Sequence, residues 1–317
     1  MSQGSLGSLP DLWKATYDLV AQVPSGMVTT YGAVAEALGD IVASRFVGLA
    51  MSKNDDIVRV PCRRVVQSDG SVGGYTGGGP AKKSKLLRAE GIVIRDGRVQ
   101  NMDDVLFRDF ESSYPLKALR RRQISLRKQL RTKSTRRRLE SVAGVDISYA
   151  GEHGYAAMVV LDVQTGRELE RAVVEGDAEF PYVPTYLAFR ELPLIAPLMN
   201  LVGDRTVLMY DGNGILHPDG FGVASHAGVE FGIPSIGVAK KLLCGSVRKD
   251  GQVVVNGKVV GHRMGEGPKA VFVSAGHLVS PGQALEIAQR FHRSRVPEPT
   301  RLAHIAANAA RREGSHK

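Results

Sequence analysis

The chain has 317 residues, of which 43% are hydrophobic, so it is long enough for two globular domains. Its formal net charge of +10 favours a polyanionic partner, with nucleic acid ahead of a membrane, although an ordinary basic protein is an equally good interpretation of charge alone. Two widely separated cysteines exclude a disulfide framework, and no apolar run approaches a membrane span. We therefore expect a cytoplasmic protein.

The first part of the chain is predicted to be a domain of short helices. Residues 1–10 are polar and rich in Gly and Ser, so we expect them to be disordered. Apolar spacing then predicts helices over 12–23, 31–38, 43–51 and 81–90. A pair of short helices joined by a glycine-containing turn is typical of a helix-turn-helix, which is a weak signal for DNA binding by itself.

One cysteine of this segment has an unusual setting. Cys62 follows Pro61 and precedes Arg63 and Arg64, and a glycine-rich loop comes next at 73–79. Neighbouring cations lower the pKa of a thiol and raise its reactivity. A lone cysteine is nevertheless more often a small buried hydrophobe, so the residues alone leave both interpretations open.

A basic segment follows at 114–138. It carries eleven Lys and Arg residues and no acid, and its leucines have partial helical spacing. We predict a basic helix that connects two domains and follows phosphates, with a solvated linker helix as the alternative. The spacing places a domain boundary near residue 115.

From residue 139 the pattern becomes rich in strands. Alternation and apolar runs predict strands at 142–149, 155–163, 168–175, 206–210 and 235–238, with helices at 185–199 and 223–231. A meander followed by alternating helices and strands is consistent with a mixed sheet covered by helices. Residues 311–317 are expected to be a polar, disordered tail.

Three acids of this second segment stand in apolar surroundings. Asp146 lies inside a strand, Asp211 ends a strand before a glycine turn, and Glu191 lies in the helical run. Each acid alone is better explained as a cap, turn or surface residue. Together, from separate elements, they could converge on a hard cation such as Mg²⁺ and support phosphodiester cleavage.

Residues 11–110 resemble the DNA-binding half of O6-alkylguanine-DNA alkyltransferases and the alkyltransferase-like proteins. The family's Pro-Cys-His-Arg-Val signature is present as residues 61–65. The resemblance implies a winged helix-turn-helix that flips an alkylated base, with Cys62 as the alkyl acceptor and Glu90 as the last member of a Cys-His-Glu relay. The residues it assigns to flipping and holding the base are Tyr31, Arg45, Asn54, Tyr75 and Thr76.

The relay histidine of that family is replaced here by Arg63. An arginine stays protonated and cannot serve as a base, although its charge could stabilise a thiolate. Two hypotheses follow. Either Cys62 accepts an alkyl group once and irreversibly, or the domain binds and flips damaged bases without repairing them.

Residues 117–317 resemble a complete endonuclease V, the nuclease that acts on deaminated bases and has a ribonuclease H-like fold. The matching motifs follow in order at 144–149, 181–184, 189–191, 211–214, 217–218, 222–226, 237–241, 276–277 and 297–301. So many motifs in the correct order over nearly a whole domain make the resemblance specific.

This second resemblance implies a role for each acid. Asp146 and Asp211 become ligands of Mg²⁺, with Mn²⁺ as an alternative ion, and Glu191 becomes a third carboxylate that reaches the metal directly or through water. Lys240 is expected beside the scissile phosphate, where a positive charge stabilises the transition state. His277 is expected to assist near the metal and the phosphate.

The resemblance also implies how the lesion is held. Pro181, Tyr182 and Pro184 match a wedge that separates the strands at the lesion. Gly212, in the turn after Asp211, lets the main chain approach the extruded base, and His217 lies in the same pocket region.

The combined prediction is an α/β multidomain DNA repair protein. An N-terminal winged helix-turn-helix, alkyltransferase-like domain (11–113) is joined by the connector (114–138) to a C-terminal ribonuclease H-like mixed-sheet domain (139–310). We expect it to nick double-stranded DNA at deoxyinosine, at the second phosphodiester 3′ of the lesion, leaving a 3′-hydroxyl. Inosine-containing RNA is a second candidate substrate. The rival hypothesis, a non-catalytic sensor of alkylated bases or a DNA-binding regulator, has no need of the three acids together.

Overall fold

The computed structural model describes residues 7–134 and 138–314, and it divides into two compact units. The first unit comprises Leu9–Arg121 together with Phe180–Pro184, and the second comprises the rest of the described chain. No helix of the described residues is long and apolar enough to cross a membrane. Each unit has its own hydrophobic core, so each is described by itself.

The first unit is mainly helical. Its elements are α1 (Leu12–Ala21), β1 (Thr29–Thr30), α2 (Tyr31–Leu38), α3 (Ser44–Lys53), β2 (Val65–Val66), α4 (Gly79–Ala89), β3 (Ile94–Arg95), β4 (Arg98–Val99) and α5 (Met102–Val105). The next helix, α6 (Pro115–Arg127), begins in this unit and continues into the second. Helices α2 and α3 form the expected helix-turn-helix, joined through a 3₁₀ turn at Ile41–Ala43.

Local chemistry fixes both ends of α2. The Thr30 hydroxyl accepts a hydrogen bond from the Ala33 N–H (3.0 Å), which satisfies a free donor of the first turn. The helix ends at Gly39, whose φ of 111° is left-handed. A Cβ on Gly39 would also lie 2.7 Å from the Lys117 backbone nitrogen. Both the left-handed φ and this close approach therefore require glycine at position 39.

Helix α6 is shorter than the basic helix that the sequence predicted. It ends at Arg127, whereas the prediction continued to Arg138. The backbone further along is used elsewhere: the Arg131 N–H donates to His277 Nδ1 (3.2 Å), and the Arg131 carbonyl accepts from the Leu278 N–H (2.6 Å). These bonds compete with a helical backbone. Residues 135–137 lie outside the described residues.

The second unit is built on a nine-stranded mixed sheet, in agreement with the predicted fold class. Its strands are β5 (Ser141–Ala150), β6 (His153–Asp162), β7 (Glu168–Asp177), β8 (Thr206–Asp211), β9 (Ser235–Ala239), β10 (Ser246–Val247), β11 (Gln252–Val255), β12 (Lys258–Met264) and β13 (Val271–Ala275). They lie in the order β10-β11-β12-β13-β9-β8-β5-β6-β7. β8 runs parallel to both β5 and β9, and the other neighbours are antiparallel.

Helices cover both faces of this sheet and bury a core on each side. They are α7 (Leu187–Ile195), α8 (Val223–Phe231), α9 (Pro281–Arg290) and α10 (Glu298–Gly314). The predicted helix at 185–199 is split, because α7 gives way to a 3₁₀ turn at Ala196–Leu201.

The expectation of a disordered tail from Arg311 is wrong for residues 311–314, which continue α10. This helix buries Ala306 and Ala307 beside Ala157 of β6. Arginines in its last turn are also favourable, because the carboxyl end of a helix carries partial negative charge. Residues 315–317 lie outside the described residues.

A glycine sets how closely α10 approaches the sheet. A Cβ on Gly144 of β5 would lie 2.0 Å from the Pro299 carbonyl carbon, which is backbone and cannot swing away. The nearest part of α10 therefore rests directly on β5, and this contact holds the rest of the helix over the strand.

We predict that Gly144→Ala destabilises the second unit by about 3 kcal/mol or more, because overpacking here forces backbone apart. Chemical denaturation followed by circular dichroism measures the change. Gly282→Ala in α9 is the control, since a Cβ there meets no atom within 4 Å. It should stabilise by up to about 1 kcal/mol through helix propensity. Equal stabilities of the two variants would contradict the close approach.

Candidate metal centre and base pockets

Two aspartates meet where β5 and β8 lie side by side. Val145 pairs with Tyr210 in the parallel register, so the next residues, Asp146 and Asp211, lie level on neighbouring strands and point to the same face. Their side chains are only 13% and 15% exposed. The sheet thus holds two carboxylates close together in a partly dry site.

Helix α10 adds a third ligand that the sequence analysis missed. His304 Nδ1 lies 2.7 Å from Asp146 Oδ2. Ligand atoms of Asp146, Asp211 and His304 all lie within 4.8 Å of one another, which is the spacing of a metal site. No sequence pattern singles out His304, because it is a half-exposed histidine of a helix that only the fold brings to β5.

Glu191 faces the two aspartates from α7 but does not belong to this compact group among the described residues. The pKa of Glu191 is raised to about 8. Burial is the largest cause, the negative charges of Asp146 and Asp211 add to it, and the Tyr210 hydroxyl, which donates to Glu191 Oε2 at 2.7 Å, opposes it. Burial and the Asp211 charge likewise raise the pKa of Asp146. A cation would stabilise the ionised forms of these three acids, which are poorly hydrated and repel one another.

Lys240 lies beside one of the two aspartates. It follows β9, and its Nζ is 2.5 Å from Asp211 Oδ2. Its side chain is 40% exposed, so it can reach solvent as well as the aspartate. Its charge compensates one carboxylate of the pair.

His277 does not lie at the metal centre, so that expectation is wrong. The Gly276 N–H donates to the carbonyl of Ser235, the first residue of β9, whereas Lys240 follows the last. Five residues of strand correspond to about 16 Å. The main-chain bond between Ser235 and the His277 carbonyl (2.9 Å) and the Arg131 bond hold His277 at the far end of the strand.

The loop after Asp211 lies flat on the sheet because it contains glycines. A Cβ on Gly214 would lie 2.0 Å from the Ala275 carbonyl oxygen, and a Cβ on Gly212 would lie 2.5 Å from Val223 Cγ1. The Gly212 N–H donates to the Val238 carbonyl (3.0 Å). Only bare backbone fits at Gly212 and Gly214, so at these two positions the loop offers main-chain groups to a ligand.

Two polar groups lie along the same loop. Asn213 Oδ1 is buried and has no hydrogen-bond partner within the described residues, which is costly unless a ligand or water donates to it. His217 is mostly buried, and its Nδ1 accepts from the Asp219 N–H (3.2 Å). The loop therefore presents a free acceptor next to a fixed imidazole.

The central residue of the predicted wedge is exposed to solvent, and its neighbours are not. Tyr182 is 60% exposed, while its neighbours Pro181 and Val183 are buried and Pro184 is partly buried. An aromatic ring held out by buried flanking residues is stiff enough to take the place of a base in a stack.

The first unit contains a cavity of about 350 Å³. Its lining residues are Tyr31, Gly48, Met51, Ser52, Cys62, Gly74, Tyr75 and Thr76. Four residues that the alkyltransferase resemblance singled out, two tyrosines, a threonine and the cysteine, thus meet around one space. Cys62 is 4% exposed, at the start of a 3₁₀ turn.

The two arginines after Cys62 are tied to one carboxylate. Arg63 Nε donates to Glu90 Oε1 (2.6 Å), and Arg64 Nε donates to Glu90 Oε2 (2.7 Å). These donors lower the pKa of Glu90 against the effect of its burial. The charge of Arg63 is therefore compensated by Glu90 and is not directed at the thiol alone.

The two remaining predicted residues lie at opposite ends of α3. Arg45 is exposed in the first turn. Asn54 is buried after the last turn, where its Nδ2 donates to the Val60 carbonyl (2.9 Å) and its Oδ1 accepts from the Asp56 N–H (3.2 Å). Asn54 thus fixes the turn that leads into Cys62.

Comparison with known proteins identifies a family for each of the two parts of the chain. The family model "Endonuclease V" matches residues 122–305, which is more than half of the chain. The chain belongs to the endonuclease V family. The family model "6-O-methylguanine DNA methyltransferase, DNA binding domain" matches residues 11–92. The chain therefore joins an endonuclease V domain to an alkyltransferase-like DNA-binding domain, as the sequence predicted.

Two relatives share this joined organisation. A protein of Thermoplasma volcanium named "Bifunctional methyltransferase/endonuclease" is 39% identical, over 93% of this chain and 88% of its own length. A protein of Picrophilus torridus with the same name is 38% identical, over 95% and 97% of the two chains. This chain is a member of the same bifunctional group.

Solved structures resemble the second unit. The catalytic domain of human endonuclease V has a TM-score of 0.59 and 28% identity, covering 65% of this chain and 99% of that one. Ciona intestinalis endonuclease V, solved with a 23mer DNA containing an inosine, has a TM-score of 0.55 and 26% identity, covering 64% and 99%. These matches confirm the ribonuclease H-like mixed sheet and the nuclease class.

We predict that Tyr210→Phe slows nicking about tenfold or more, since a hydrogen bond to a charged group contributes about 1.5–3 kcal/mol and here orients Glu191. Single-turnover nicking at saturating metal gives the rate. Tyr149→Phe is the matched control: this tyrosine also lies close to Glu191, but its hydroxyl makes no hydrogen bond to that acid. Equal losses in both variants would show that the Tyr210 hydroxyl does not orient the acid.

Proposed function

We propose that this protein is a Mg²⁺-dependent endonuclease that nicks double-stranded DNA at deoxyinosine, at the second phosphodiester 3′ of the lesion, leaving a 3′-hydroxyl. The supporting observation is the group formed by Asp146, Asp211 and His304, whose ligand atoms lie within 4.8 Å of one another, with the two aspartates level on neighbouring strands. Its two free cysteines suit the reducing cytoplasm, where we place the activity.

The residues present fit a divalent cation. Asp146 and Asp211 supply hard oxygen ligands, His304 supplies a nitrogen, and Glu191 stands close enough to join directly or through water. The raised pKa values of Asp146 and Glu191 show negative charge that the protein alone leaves poorly compensated. Carboxylates favour Mg²⁺, and the imidazole makes Mn²⁺ a suitable alternative. When bound, the ion would polarise the phosphate and help to activate water.

The chain's own residues do the remaining work at the phosphate. Lys240 is paired with Asp211 and is partly exposed. Once Asp211 is compensated by another cation, the Lys240 ammonium is available to a phosphate oxygen, where developing negative charge needs stabilisation. Tyr210 holds one oxygen of Glu191 and so aims the other at the centre.

The lesion is recognised by groups that accept an extruded base. Tyr182, exposed between buried neighbours, would fill the gap in the stack. The backbone of the Gly212 loop and the unpartnered acceptor Asn213 Oδ1 would contact the base edge, and hypoxanthine carries an N–H donor that adenine lacks. His217 closes the same loop.

The first unit would recognise O6-alkylguanine. The cavity of about 350 Å³ beside Tyr31 and Tyr75 offers aromatic surface to a flipped base, and Cys62 lines it. The two relatives named methyltransferase/endonuclease support dealkylation through Cys62. The rival hypothesis, a sensor without catalysis, does not explain the metal centre.

The deciding experiment uses a labelled duplex with a single deoxyinosine. We expect one nick at the second phosphodiester 3′ of the lesion with Mg²⁺ or Mn²⁺ and none with EDTA. An otherwise identical duplex with deoxyadenosine is the control, and a strand with ribo-inosine tests RNA. Absence of a nick with either metal over a range of salt would reject the nuclease proposal.

We predict that Asp146→Ala, Asp211→Ala and His304→Ala each slow nicking by at least about 100-fold, because each removes a ligand of the cation that stabilises the transition state. Binding to the deoxyinosine duplex, measured by fluorescence anisotropy, should stay within about threefold, since phosphate contacts dominate affinity. Asp204→Ala, a change at an exposed loop acid, is the control and should nick normally. Retained nicking in both aspartate variants would remove the metal assignment.

We also predict that Arg45→Ala weakens binding to a duplex with one O6-methylguanine about tenfold, because a group that fills a vacated stack contributes about 1–3 kcal/mol. Lys53→Ala removes the same charge from the other end of α3 and serves as the control. Anisotropy at one fixed salt concentration compares them. Similar losses in both variants would indicate charge alone, and the stacking role would be rejected.

A further inference from the structure

One lysine of the first unit is buried as deeply as a core residue. Lys83 is 1% exposed in α4, although lysine is among the side chains most rarely found fully buried. Its neighbours Lys82 and Lys85, on the same helix, are exposed. A buried ammonium loses its hydration, so its position needs a compensating interaction.

The hydrogen bonds of Lys83 give only part of that compensation. Its Nζ donates to the Val65 carbonyl (2.6 Å) and to the Gly74 carbonyl (3.3 Å). Both acceptors are neutral, and within residues 7–134 and 138–314 no carboxylate forms an ion pair with Lys83. The amine therefore lacks a full counter-charge of the kind that a buried cation requires.

The missing counter-charge is available at Cys62. Gly74, whose carbonyl accepts from Lys83, lines the same cavity as Cys62, and Val65 directly follows the 3₁₀ turn that begins at Cys62. A negative charge on Cys62 would raise the pKa of Lys83. Cys62 is thus the nearby group that can become an anion.

The other titratable groups around the thiol cannot take its proton. Burial raises the pKa of Tyr17, Tyr31 and Tyr75, so these side chains are neutral donors. Arg63 stays protonated and is held by Glu90. Among the described residues facing Cys62, this leaves Lys83.

We propose that Lys83 activates Cys62 as the alkyl acceptor, in the place of the relay histidine that this chain lacks. The inference rests on the proposed recognition of O6-alkylguanine by the first unit, and it chooses alkyl transfer over binding alone.

The step balances with groups that are present. The Cys62 thiol gives its proton to the neutral Lys83 amine, which forms a thiolate and an ammonium. The thiolate attacks the alkyl carbon, so an S–C bond forms while the C–O6 bond breaks and its electron pair stays on the guanine oxygen. The Tyr31 hydroxyl, which lines the cavity, passes a proton to the leaving guanine, and the proton that Lys83 took from the thiol restores the tyrosine, so both side chains end neutral. The products are guanine and S-alkylcysteine.

The acidity of Lys83 suits this role. Burial lowers the pKa of Lys83 to about 8. An amine in that range exchanges a proton near neutral pH, whereas an exposed lysine near 10.4 would be locked in its protonated form. Loss of the proton from Cys62 raises the pKa of the amine again, so the thiolate–ammonium pair stabilises itself.

The test uses the full chain and two readouts. Transfer is followed by peptide mass after incubation with a duplex carrying one O6-methylguanine, and Cys62 should gain one methyl group. Thiol acidity is followed by the rate of iodoacetamide modification of Cys62 against pH, with Cys244 as an internal reference whose pKa burial raises. The rate at pH 7 reports how much of Cys62 is thiolate, because the thiolate is the reacting species.

Lys83→Met should slow methyl transfer at least about 100-fold and lower the iodoacetamide rate of Cys62 at pH 7 at least about tenfold, while Lys85→Met changes neither. Wild-type methyl transfer, or a wild-type iodoacetamide rate, in Lys83→Met overturns the proposal. If Lys83→Met also loses duplex binding, the iodoacetamide rate decides, because iodoacetamide needs no DNA. Wild-type binding to methylated DNA without transfer overturns the inference but leaves recognition standing, and nicking at deoxyinosine reports on the second unit separately.

Discussion

The second unit depends on the repulsion between two carboxylates that its sheet forces together. Parallel pairing of β5 and β8 leaves Asp146 and Asp211 no freedom to separate, and burial denies them water. The surrounding structure answers this charge with Lys240 and His304, which contact one aspartate each. The sheet therefore holds two carboxylates close together in a partly buried position. This arrangement is unfavourable unless a cation compensates the two negative charges.

In the first unit the buried group without a counter-charge is basic rather than acidic. Here a cation, Lys83, is buried without an acid, while the acid of the relay, Glu90, is occupied by two arginines. Replacing a histidine by Arg63 would have left an uncompensated charge near the thiol, and the paired contacts with Glu90 remove it. The site therefore keeps a cavity of about 350 Å³ and a cysteine, and among the described residues the group that we propose to balance a thiolate is Lys83 of α4.

Sequence reasoning succeeded where chemistry is local and failed where it is set by packing. Asp146 and Asp211 were found because acids interrupt apolar strands, and α8 was placed correctly by its flanking glycines. His304 was missed because an exposed helical histidine has no pattern of its own until α10 is laid on β5. Strands β10–β13 were missed although Asn256-Gly257 is a strong hairpin signal. His277 was misplaced because a motif identifies a residue but does not show at which end of the neighbouring strand that residue lies.

The metal centre joins residues that are far apart along the chain. Asp146 and His304 are separated by 158 positions, and Gly144 makes their meeting depend on an atomic fit between β5 and α10. A contact of such long range forms only when the intervening sheet is complete. Ligand affinity and global folding are therefore linked: a partly folded chain would hold two of the ligands without the third. Because a ligand stabilises the state that binds it, cation binding should favour the fully folded unit over partly folded states.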